Sequence, residues 1–100
     1  MDQRVKLGDA LTAFRPNVYY QPPATIRMTY PCIRYTFEGF GSKNANDKKY
    51  LLREHYQAID MYYDPDDHKR QEILAAFEYV TFGNTYTADG LHHDVYEIYL

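Results

Sequence analysis

Several residues in this 100-residue chain are of types that bind or transform ligands. His92-His93-Asp94 is the best zinc candidate. On a strand His92 and Asp94 would share a face, and distant His55 could supply a third ligand. No fixed spacing supports such a site, C-x-x-C and H-E-x-x-H are absent, and exposed loop histidines are the expected reading. Asp64 and Asp66 begin the D-x-D pattern of a calcium loop. His68, Lys69 and Ala75 then occupy the later ligand, glycine and glutamate positions, so a helix cap explains the aspartates better. Ser42 is the only serine and has no G-x-S-x-G elbow, which leaves it without the setting of a hydrolase nucleophile. Cys32 follows Pro31 with no histidine beside it to lower its pKa, and is expected to be a small buried hydrophobe. Fourteen acidic residues guarantee some carboxylate pairs, but only a fold can bring a pair into one cleft.

Charge and composition narrow the classes further. Eleven basic against 14 acidic residues give a net charge of -3, with Lys48-Lys49 and Lys69-Arg70 the only adjacent basic pairs. Tight, sequence-independent nucleic-acid binding is disfavoured. Gly39-Phe40-Gly41 matches a fragment of an RNA-stacking motif, but Ser42-Lys43-Asn44 follows where that motif continues with an aromatic. Mean hydropathy is -0.65 and apolar runs are short, which excludes a transmembrane helix. No basic then apolar opening suggests a secretory signal, and the single cysteine suits a reducing compartment. Twelve tyrosines without tryptophan fit half-buried strands and wet interfaces.

The elements that must position these residues follow from periodicity. One hundred residues allow a single domain, residues 1–100, burying roughly two-thirds of its unfolded surface. Leu7, Leu11 and Phe14 predict an amphipathic helix over Asp2 to Phe14, weakened at Gly8 by about 1 kcal/mol. Val18-Tyr19-Tyr20 is a brief extended piece, and Pro22-Pro23 confines it to a sheet edge or surface arm. Alternation predicts a strand over Cys32 to Phe40 and a return strand over about Leu51 to Tyr63, with Tyr56, Ala58, Asp60 and Tyr62 sharing one face. Between them the polar stretch Gly41 to Lys49 is too long for a tight turn and is expected to be mobile or held by a partner. Asp64-Pro65-Asp66-Asp67 predicts a helix start, followed by the stripe Ile73, Leu74 and Phe77, with His68, Lys69 and Glu72 facing water. Tyr79 to Tyr86 and Val95 to Leu100 complete the strands, with Asn84 and Thr87-Ala88-Asp89-Gly90 as turn residues. The expected core comprises Tyr35, Phe37, Ile59, Met61, Ile73, Leu74, Phe77, Phe82, Tyr96 and Ile98. The order α-β-β-β-α-β-β is an α+β domain: an antiparallel or mixed sheet with a long central hairpin, packed by two α-helices.

Five segments carry a resemblance. Tyr19-Tyr20-Gln21-Pro22-Pro23, Met28-Thr29-Tyr30-Pro31-Cys32-Ile33, His55-Tyr56-Gln57, Asp64-Pro65-Asp66 and Thr87-Ala88-Asp89-Gly90-Leu91 follow in that order. Together, from about Val18 to Leu100, they resemble the successive signatures of tail-completion (tail terminator) proteins of long-tailed bacteriophages. Gly90 departs from the asparagine that relatives often carry; both residues tolerate left-handed turn geometry. The resemblance implies a structural virion protein, not an enzyme, with no cofactor and no metal. It implies a homo-oligomeric ring, a hexamer by family likeness, on the head-proximal end of the tail tube, assembled in the host bacterial cytoplasm. The ring would end tube growth and receive the head. Its implied partners are other copies of itself, the tail tube protein and a head-completion or connector protein, with no membrane. DNA would pass through without specific binding, which net acidity suits. The expected interface residues are Tyr19, Tyr20, Gln21 and Pro22, and Gly41, Ser42, Lys43, Asn44, Asn46, Asp47, Lys48 and Lys49 of the hairpin loop. The alternatives are a head-tail connector or stopper on the portal side and, more distantly, a small metallo-enzyme using His92, His93 and Asp94.

Overall fold

In the computed structural model, residues 2–41 and 53–100 are described. Helix α1 (Gln3–Leu11) begins where the Asp2 carboxylate accepts the Arg4 N–H at 2.9 Å, and it buries Leu7 and Leu11. It stops short of Phe14. Ala13 N–H donates to Ala10 and Phe14 N–H to Leu11, and this three-residue spacing tightens the last turn and ends the α-helix. Gly8 has a packing reason. A Cβ there would meet the Tyr35 hydroxyl at 2.5 Å, and that hydroxyl donates to the Arg4 carbonyl at 3.0 Å.

Strand β1 (Asn17–Tyr20) pairs in parallel with β2 (Cys32–Phe40). β2 returns antiparallel as β3 (Glu54–Tyr62), and β3 pairs antiparallel with β5 (Leu91–Tyr99). β4 (Tyr79–Ala88) pairs antiparallel with β5 at the far edge, giving the mixed sheet order β1-β2-β3-β5-β4. The proline-rich arm thus leaves from an edge strand, as its missing donors require. A 3-10 turn (Pro65–Asp67) and helix α2 (Arg70–Ala76) lie between β3 and β4. The fold is the expected α+β class with the expected element order.

The helices pack on one face of the sheet. There Leu7, Leu11, Ile33, Tyr35, Tyr56, Ala58, Ile73, Tyr96 and Ile98 form the main core. On the opposite face Cys32, Ile59, Met61 and Val95 form a smaller cluster, flanked by Met28 and Tyr30 of the segment joining β1 to β2. Period-two alternation sorted these residues correctly, because a one-residue slip would exchange the faces. Leu74 is not core: it is 38% exposed beside buried Ile73, since a seven-residue helix turns only one narrow side inward. Phe37, Phe77 and Phe82 are half-buried at the rim.

Besides the end of α1, three boundaries differ from the sequence expectation. The return strand is described from Glu54 to Tyr62, while Leu51 and Leu52 lie outside the described residues. The expected single helix after Asp64 is two pieces. Asp64 does cap, accepting the Asp66 N–H at 2.9 Å, but the chain turns extended at His68, leaving His68 and Lys69 half-buried instead of facing water. The last two strands run on to a two-residue turn at Asp89-Gly90, whose φ values of 54° and 76° match the twist of a type I′ hairpin. Asn84 is therefore a strand residue, beside a bulge at Gly83, and not a turn.

Candidate functional site

The most elaborate polar site was not anticipated from the sequence. Asp60 on β3 and Asp94 on β5 face each other directly in register, on the helix-covered face, and both are fully buried. Each carboxylate is gripped by its own arginine. Arg15, between α1 and β1, donates through Nε to Asp60 Oδ1 at 2.8 Å and through Nη2 to Oδ2 at 3.0 Å. The same guanidinium donates through Nη1 to the Asp67 carboxylate at 2.8 Å and through Nη2 to the Asp67 carbonyl at 2.6 Å. Arg70, at the start of α2, donates to Asp94 through Nε at 3.0 Å and Nη2 at 3.3 Å. Tyr62 and Thr85 complete the Asp94 shell, donating hydroxyl hydrogens at 2.7 and 2.8 Å.

Electrostatics separates the two aspartates. Burial pushes the Asp60 carboxyl above its ordinary range, with Arg15 working against it and the Asp94 charge adding to it. Asp94 is also raised by burial, but donation from Arg70, Tyr62 and Thr85 outweighs this and holds its carboxyl below the usual value. Burial and then the bond to Asp94 push the Tyr62 hydroxyl up to about 12. Forked arginine–carboxylate pairs are the strong form of charge-assisted bond, and here they tie the segment after α1, the 3-10 turn and α2 to the central strands, while the Thr85 hydroxyl adds β4. With Arg15 only 3% exposed and its Nε, Nη1 and Nη2 all occupied, this chemistry is that of a clamp.

The proposed zinc ligands do not converge. His92 and His93 are strand residues, not the loop residues expected, because β5 begins at Leu91. His92 stacks on Tyr62 on one face, while His93 stacks on Tyr86 at 4.5 Å on the other. Asp94 is committed to Arg70. His55 lies at the far end of β3, stacked on Tyr99 and 3.1 Å from Glu97. Among the described residues no group of three or more His, Cys, Asp or Glu is arranged to hold a metal ion. Cys32 is buried, and burial raises its thiol to about 11.

The expected interface residues fall into two sets. Tyr19, Tyr20, Gln21 and Pro22 lie at β1 and its exit. The Tyr19 hydroxyl accepts the Thr29 N–H at 3.1 Å, and Tyr20 packs 5.0 Å from the Tyr35 ring with Arg4 above it. Gln21 adopts φ 39° and its side-chain oxygen accepts the Phe37 N–H, so the exit is anchored back onto β2. A groove of about 380 Å³ opens between α1 and this edge, lined by Arg4, Val5, Asp9, Val18 and Tyr20 among others. In the second set, the Gly41 N–H donates to the Arg53 carbonyl at 2.9 Å. Ser42, Lys43, Asn44, Asn46, Asp47, Lys48 and Lys49 lie outside the described residues. Phe40, next to Gly41, is 69% exposed and rests edge-on against Phe37. No family model, curated protein or solved structure matches the chain.

Proposed function

We propose that this chain is a structural subunit of a phage tail. It closes with copies of itself as a ring on the head-proximal end of the tail tube, where it ends tube growth and offers a surface to the head. The observation that carries this reading is where the five resemblance segments fall in the fold. Each marks a separate joint or strand of one sheet: β1 and its exit, the entry to β2, the start of β3, the 3-10 turn and the β4–β5 hairpin. Together they set the path of the sheet, and copies of a ring subunit must share one such fixed shape. The Arg15 and Arg70 clamps are consistent with this, since they hold the elements in one fixed arrangement. A ring also needs unlike patches that meet head to tail, and the outer strands β1 and β4 differ in length and in pairing direction.

Antibody or tag labelling of intact virions in the electron microscope tests the location. The expected result is a single ring of label at the junction of head and tail. Label at the tail tip, along the tube or absent from virions would overturn the reading.

A further inference from the structure

Each outer strand of the sheet has one backbone edge with no strand partner among the described residues. Soluble proteins guard such edges with charge, proline, bulges or shortness. β1 is guarded in this way, having four residues and an exit through Pro22-Pro23. β4 has ten residues, none charged and none proline. Its one irregularity is the bulge at Gly83, and beyond it Asn84 to Ala88 are exposed at every position.

The two edges match. Following the registers across the sheet, Asn17 lies level with Tyr86 and Tyr19 level with Asn84, all on one face. β1 is parallel to β2, and three antiparallel steps separate β2 from β4, so β1 and β4 run in opposite directions. Two copies set side by side without turning the sheet over therefore bring β4 and β1 together antiparallel, the more stable pairing. The helices match as well. α1 packs over β1 and β2 and α2 over β4, on the same face, so the joint sets α2 of one copy beside the α1–β1 groove of the next. The groove offers apolar Val5 and Val18 between Arg4 and Asp9, and α2 and its exit offer exposed Leu74 with Glu72 and Glu78, so the apolar surfaces match and Arg4 is the group that can meet a glutamate.

We infer that the β4 edge of one subunit pairs antiparallel with the β1 edge of the next copy of this chain, with α2 closing over the neighbour's α1–β1 groove. This rests on the ring reading, because edge pairing of unlike strands repeats head to tail and closure removes both edges.

Disulfide cross-linking of the full chain tests the contact. Asn17→Cys is combined with either Asn84→Cys or Tyr86→Cys, all on the same face; the native Cys32 thiol is buried and stays silent. Mild oxidation is expected to give a non-reducing ladder from dimer upward in at least one double variant, and no dimer from Asn84→Cys alone. In addition, Asn84→Lys is expected to abolish self-association while the far-ultraviolet circular dichroism spectrum of the folded chain stays unchanged. No cross-link in either double variant, or dimers from Asn84→Cys alone, overturns the inference. Closed rings in the microscope without β1–β4 cross-links would defeat the edge contact and keep the ring reading. A ladder that grows into open chains would support the edge contact and defeat the ring reading.

Discussion

A buried charge is tolerated only while its partner stays, and Arg15 and Asp60 make the point measurable. Asp60→Ala leaves the Arg15 guanidinium buried without its main carboxylate, which is expected to cost about 3–5 kcal/mol in urea unfolding. By contrast Lys69→Ala removes a 3.6 Å pair between half-exposed groups and is expected to cost under about 1 kcal/mol. The pH dependence has a sign that differs between the aspartates. Asp94 is held below its ordinary value, so its stabilisation is present above the unfolded pKa of about 3.9 and is lost as pH falls through the folded pKa. Asp60 is raised, so it takes up a proton earlier in the folded state than in the unfolded one and opposes acid unfolding. Asp94→Asn is therefore expected to flatten the loss of stability in acid, measured by urea unfolding at a series of pH values; an unchanged acid slope would contradict the assignment. Of this site only the placing of Asp60 was legible in the sequence. Asp60 shares an alternating face with Tyr56, Ala58 and Tyr62, and a carboxylate on a core face demands a partner. Which cation answers it was not legible, because Arg15 is 45 residues away and reached only through the packing of α1.

Among the elements, α2 gives the sharpest contrast between adjacent positions. Ile73→Ala removes a fully buried side chain from the main core and is expected to cost about 2–5 kcal/mol, whereas Leu74→Ala is expected to change stability by under about 1 kcal/mol. Equal costs at the two positions would mean that the helix is rotated from the orientation described. The Asp89-Gly90 turn makes a similar demand, since Gly90 sits at φ 76°, where a Cβ costs roughly 1 kcal/mol; Gly90→Ala should lower the unfolding midpoint accordingly. Strands with clean alternation, such as Cys32 to Phe40, were legible to the residue. Those whose alternation is carried by histidine and threonine were not. The first half of β5, Leu91 to Asp94, reads as polar loop, and it is strand because it pairs with β3 and β4, where His92 stacks on Tyr62 and His93 on Tyr86. The 3-10 turn escaped for a related reason, as the Asp67 carbonyl and carboxylate are both taken by Arg15, a contact local propensity cannot contain.

At the scale of the molecule, element order and class followed from periodicity, but the neighbour order β1-β2-β3-β5-β4 depends on pairings between distant segments. Among the described residues that order leaves β1 and β4 each paired on one side only, and so it bears on how copies would join. The proposed ring would have to let DNA pass without holding it, and with a net charge of -3 the purified chain is expected to show no duplex binding in a gel shift at physiological salt. The most direct measurement for the proposed role is electron microscopy of lysates from a phage carrying a nonsense codon in this gene. Filled heads beside separate tails of abnormal or excessive length are the expected result, because nothing would stop tube growth. Emptied heads beside tails of normal length would contradict it and move the chain to the portal side of the joint.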